Sequence, residues 1–136
     1  MKKMVIVCFV LFICPSVMFG EGQRETLFRA TVGSDGIQRV GIVGGSYFFT
    51  PNHIIVRVTV PVELQARKEP GVVPHNMVIN APEAGIDVHV SLDNEPTPIR
   101  FTPTSTGSYP FYCSKKFLFF ESHREKGMEG VLEVVQ

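Results

Sequence analysis

Four residues of this chain could together bind one soft transition metal, and three fall in one stretch, "YPFYCSKKFLFFESHREKGMEG". Cys113, His123 and Met128 follow one another there, and His75 stands upstream in "VVPHNMVI". A thiolate, two imidazoles and a thioether together form the donor set of a mononuclear blue-copper centre. Thiolate and imidazole bind both oxidation states of copper, and a weak axial thioether lets the geometry change little when one electron moves. A cysteine nucleophile activated by His123 is the poorer chemistry. Cys113 closes an expected strand instead of opening a helix, and no oxyanion-forming glycine loop adjoins it.

The cysteine count sharpens the question. Lys2 and Lys3 precede an apolar run from Met4 to Cys14, short of the roughly 20 apolar residues that a membrane span needs. Residues 1–20 therefore read as a secretory signal, with the cut near Gly20 or Gly22, and the chain as exported, a bacterial periplasm fitting best. A lipid-modified Cys14 is disfavoured by the bulky Ile13 before it. Cys8 and Cys14 leave with such a leader, so Cys113 has no partner in its own mature chain and is a special thiol or an intermolecular one. Lys2 and Lys3 leave too. Eleven basic against 13 acidic side chains then give −2, a balance that argues against nucleic acid as a partner.

The elements that must position these donors read as strands. About 115 mature residues make one domain, large enough for a core without disulfides. Strand patterns cover 36–43, 54–60, a segment from Val62, 76–80, 86–92, 98–103, 109–113 and 130–135, each bounded by Gly, Pro, Asn or Asp. Such spacing predicts an all-β, Greek-key sandwich or barrel of about seven to eight strands. Residues 46–136 carry the donors, 1–20 are the leader, and 21–45 read as an N-terminal extension or an extra strand. The one helical sign is a capping box, Ser122 with Glu125, closed by Gly127 after a single turn.

From about residue 46 to 135 the chain resembles the cupredoxins of the plastocyanin and azurin type. "YFFTPNHIIVRVTVPVEL" is similar to that family's early strand pair, and "PHN" (Pro74, His75, Asn76) to its first-histidine segment. "GSYPFYC" resembles the aromatic approach to the cysteine, and "GMEGVLEV" the methionine that leads into the last strand. The resemblance implies one copper per chain, with His75 and His123 as imidazole ligands, Cys113 as thiolate and Met128 as axial ligand. It also implies that Asn76 ties the two ligand segments together through hydrogen bonds. Nine residues separate Cys113 from His123, a longer loop than the family uses. His53 and His89 are the alternatives to His123, although His53 sits in a turn and His89 shares the solvent side of its strand with Asp87 and Ser91. A binuclear copper site is disfavoured because it needs a second cysteine in this loop.

The function implied is a small exported one-electron carrier, not an enzyme. Its partner would be a redox protein such as a cytochrome or a membrane oxidoreductase, and the carrier itself a monomer. Two other classes stand beside it: an enzyme or sensor at an open copper position, and copper delivery or storage. The run Phe117, Leu118, Phe119 and Phe120 is expected to fold down as a lid over the site, with docking of a redox partner as the other reading. Charges around it sum to +1, too few for long-range steering.

Overall fold

The computed structural model describes residues 23–136, so the leader, Cys8 and Cys14 lie outside the described residues. Ten strands run through the described residues: β1 (Leu27–Arg29), β2 (Gln38–Gly45), β3 (Phe48–Thr50), β4 (His53–Arg57) and β5 (Val62–Lys68), then β6 (His75–Ala81), β7 (Ile86–Leu92), β8 (Thr97–Phe101), β9 (Gly107–Tyr112) and β10 (Glu129–Val135). They form two facing sheets, β1-β4-β10-β9-β6-β7 and β3-β2-β5-β8. The expected all-β sandwich is present, open at its edges and not closed into a barrel. The strands beyond the expected number are β1 and β3. Each has three residues, too few to show an alternating pattern in the sequence.

Alternation explains the longer strands. In β2 Gln38, Val40 and Ile42 are buried while Arg39 and Gly41 are exposed, the period of two that a half-buried strand requires. β2 lies between β3 and β5, so the segment 38–45 is a working part of the smaller sheet. β6 is nearly continuous in its burial because β7 and β9 flank it in the larger sheet. Val40, Ile42, Leu64, Met77, Ile79, Ile86 and Leu132 fill the space between the sheets. Phe49 and Phe111 meet edge to face at 5.3 Å. The fully buried amide of Gln38 donates to the carbonyls of Arg57 and Val60 and accepts from the Arg57 N–H, so its burial leaves nothing unpaired.

Two features of the fold set up the site. β9 and β10 pair antiparallel with Tyr112 opposite Glu129, which brings Cys113 and Met128 face to face just past the ladder. β6 meets the same strand through Val78 and Tyr112, so His75 at its start lies at the same end of the sandwich.

Candidate metal centre

Cys113 is fully buried and is the free cysteine among the described residues. Its backbone N–H donates to the Met128 carbonyl at 3.0 Å, and Met128 N–H donates to the His123 carbonyl at 2.9 Å. The long segment between them is an excursion whose ends are tied: His123 N–H donates to the Lys115 carbonyl at 2.9 Å. The residues between those two project outward while His123 returns to the cysteine. Loop length is therefore no obstacle, since extra residues in a closed loop add little entropic cost. The capping box forms as expected. Glu125 accepts from the Ser122 N–H and hydroxyl at 2.6 and 2.7 Å, and Gly127, at φ 101°, ends the turn.

His75, Cys113 and His123 converge, all three buried. The two Nδ1 atoms are 3.1 Å apart, and Cys113 Sγ lies 3.9 Å from that of His75 and 3.5 Å from that of His123. A point equidistant from the three atoms lies about 2 Å from each, the length of an ordinary metal–nitrogen bond and slightly short of a metal–sulfur one. A triangle of this size, holding one sulfur and two imidazole nitrogens, fits a single soft metal ion in trigonal coordination. Met128 is fully buried, and its methyl carbon packs on the backbone of Gly44, where any Cβ would meet it at 3.0 Å. Glycine at 44 is what lets the thioether occupy that space.

Around the triangle the chain supplies a rigid frame. The Asn76 N–H points at Cys113 Sγ, 3.4 Å away. The Asn76 side chain accepts from the Ser114 N–H and donates to the Ser114 hydroxyl, both at 2.8 Å, stapling the start of β6 to the residue after the cysteine. Tyr47 sets its ring edge to face against His123 at 5.1 Å, and the Lys126 ammonium lies over the Tyr47 ring at 4.5 Å. Tyr47 holds a left-handed backbone, φ 65°, which a non-glycine residue adopts only against a steric cost. Sequence reasoning gave no site role to Tyr47 or Gly44 and counted Lys126 only among the nearby charges, because their roles depend on contacts across the fold.

Burial makes both imidazoles poor bases. His75 is pushed down to about 4, first by loss of water, then by His123 and by Lys68. His123 moves the same way, by burial and then Lys126. Neutral imidazoles with free nitrogens are the form that binds metal, so the site is set for ligation well below neutral pH.

The other two histidines lie elsewhere. His53 is gripped by Glu25 on one ring nitrogen and by Glu133 at 2.9 Å on the other, and these carboxylates hold its pKa above the usual value. His89 is exposed, with its Nε2 3.3 Å from the Asn76 amide. The aromatic run overturns the expectation of a lid. Phe117, Leu118, Phe119 and Phe120 are all exposed, and Phe117 and Phe120 form one wall of an open groove that has His123 in its lining. Their loop is anchored only at its ends, so nothing draws them inward.

Fold and site together define a cupredoxin-type sandwich with a His, Cys, His cluster and a buried methionine at one end. No family model and no curated protein matches the sequence. Solved structures do. The metal-binding domain of the Cu(I)-exporting P-type ATPase CopA of Streptococcus pneumoniae D39 matches with a TM-score of 0.62 and 22% identity, over 84% of this chain and 100% of that one. Auracyanin of Roseiflexus castenholzii gives 0.57 and 18%, over 79% and 99%. The periplasmic domain of cytochrome oxidase subunit II of Bradyrhizobium japonicum gives 0.54 and 14%, over 72% and 83%. At these identities the likeness is one of fold.

Proposed function

We propose that the chain is an exported mononuclear copper protein that carries single electrons between redox proteins. His75 and His123 would hold the ion through Nδ1, Cys113 through its thiolate, and Met128 through its thioether. The observation that carries this reading is the triangle of donors, already at bonding size around its centre. The copper, when bound, supplies one-electron redox chemistry between Cu(I) and Cu(II). What the chain contributes is fixity. Asn76 and Ser114 clamp the cysteine segment to β6, and Tyr47 braces His123. Burial keeps both imidazoles neutral and excludes water from Cys113 and Met128. A frame that moves little between two oxidation states suits a carrier, whose electron would pass to or from a redox partner such as a cytochrome or a membrane oxidoreductase.

Addition of one equivalent of Cu(II) to the protein should produce an intense visible thiolate-to-copper band, absent in Cys113→Ser and altered in His123→Ala. The band should ignore azide. No band removes the proposal, and an azide-sensitive band moves it to an open-site enzyme or sensor. A second reading, copper delivery, draws support from the likeness to a domain solved with Cu(I) in a Cu(I)-exporting ATPase. It predicts prompt loss of Cu(I) to a competing chelator, where a carrier retains its ion through repeated reduction and oxidation.

A further inference from the structure

We propose that the turn Phe117–Phe120 is an interfacial anchor that seats the metal-site end of the sandwich on a bilayer surface bearing anionic headgroups. The proposal goes beyond the electron-carrier reading and does not depend on a bound metal.

Exposure is the first observation. Phe117 is 67% exposed, Leu118 69%, Phe119 84% and Phe120 51%, four large apolar side chains in succession. A run of that kind is a liability for a protein that lives wholly in water, and marks an interaction site where it persists. The rings touch each other instead of the core: Phe119 and Phe120 stack at 4.8 Å, Phe117 and Phe120 at 6.1 Å. They form a self-contained apolar knob.

The backbone gives a second, independent sign. Phe120 N–H donates to the Phe117 carbonyl at 3.1 Å, closing a turn in which Leu118 has φ 50°. A positive φ at the second residue of a turn is the place for glycine. A leucine there bears a steric cost, and with 69% of its surface exposed its burial within the folded domain offsets little of it. A contact outside the domain offsets the rest.

Charge then selects the surface. Lys115 and Lys116 enter the turn, and Lys126 lines the same groove of about 450 Å³ with Phe117 and Phe120, against Glu121 in the groove and Glu125 within electrostatic reach of Lys116. Lysines beside aromatic rings are the usual composition of a segment lying in a membrane interface, with rings at the headgroup boundary and ammonium groups on phosphates. The net charge of this end is small, so the lysines act at close range. Exposed valines on the facing loop, Val72 and Val73, broaden the apolar face. A protruding knob with side chains fanned around a turn would demand a deep complementary cavity from a protein, whereas a fluid interface accepts any shape.

The chain contains no tryptophan, so one introduced indole reports its own surroundings. Phe119→Trp in the full chain is mixed with vesicles of phosphatidylglycerol and phosphatidylethanolamine, and with vesicles of phosphatidylcholine. Val32→Trp serves as control: Val32 bridges to Gln38 at the start of β2, the strand whose far end, Gly44, lies against Met128. The expected result is a blue-shifted emission for Phe119→Trp with the anionic vesicles, quenched by brominated acyl chains, and no shift for Val32→Trp. Lys115→Gln and Lys116→Gln, each made in the Phe119→Trp background, should weaken the partition about fivefold apiece. An unshifted Phe119→Trp at large vesicle excess overturns the proposal and leaves the knob to a protein partner. An equal shift of Val32→Trp overturns it as well, as does an equal response to phosphatidylcholine.

Discussion

Acidifying the metal-free protein tests the burial of its two imidazoles directly. His75 titrates at about 4 in the folded chain and at 6.5 when free. Between those values the unfolded chain binds a proton that the folded chain refuses. The stability His75 contributes is therefore complete above pH 6.5 and is lost as pH falls toward 4. The full gap is worth about 3 kcal/mol, and about 2 kcal/mol of it is gone by pH 5. His123 is displaced in the same direction and adds to the loss. Other groups leave this window clear. The carboxylates of Asp35, Glu63 and Glu125 have lowered pKa values, so their contribution is lost only at more acid pH. His53 is raised, so its contribution is already complete below 6.5. Urea unfolding in the presence of a chelator, at pH 7.5, 6 and 5, reads the effect, equivalent to a fall in Tm of roughly 8–10 °C at pH 5. In His75→Gln the drop should shrink by about 2 kcal/mol. Copper loading should move it to lower pH, because ligation holds the imidazoles deprotonated. A flat profile in the wild type, or an equal drop in His75→Gln, refutes the argument that burial governs these groups.

Asn76→Ala removes the acceptor of the Ser114 N–H, a half-buried bond, and should cost about 1 kcal/mol in chemical denaturation, with copper affinity reduced about 10–100-fold in a chelator competition. Gly44→Ala places a methyl group 3.0 Å from the Met128 methyl carbon, so it should alter the visible spectrum of the copper-loaded protein while the fold survives, at about 1–3 kcal/mol. Met128→Ala empties a fully buried site and should destabilise even the metal-free protein by about 2–5 kcal/mol, measured by urea unfolding. His53→Ala should speed amide exchange in Leu27–Arg29 relative to wild type at pH 6. That ratio should fall toward one at high pH, because a raised pKa means the ion pairs with Glu25 and Glu133 are present below it and lost above it.

Much of this molecule is legible along the chain. Alternation in 38–43 and 86–92 depends only on side chains one residue apart lying on opposite faces, and 54–60 is marked by its β-branched residues, so eight of the ten strands described announce themselves. The capping box of Ser122 and Glu125 is equally local. Donor types and their order, His75, Cys113, His123, Met128, are properties of the sequence, and so is the absence of a second cysteine in the loop.

Other features arise only when distant segments meet. β1 and β3 are strands because β4 and β2 offer them a free edge, and three residues carry no period of their own. Which histidine joins the cysteine is decided by two backbone hydrogen bonds, from His123 to Lys115 and from Met128 to His123, that bring the loop back after its excursion. The same closure throws Phe117–Phe120 outward, where composition alone suggested an inward lid. Tyr47 and Gly44 matter to the site only because β2 and the turn after it lie across from His123 and Met128, contacts that span about 80 residues of chain. Residue types are chosen locally, but a distance between two of them is set by every pairing in the sandwich, and that is what only the tertiary structure decides.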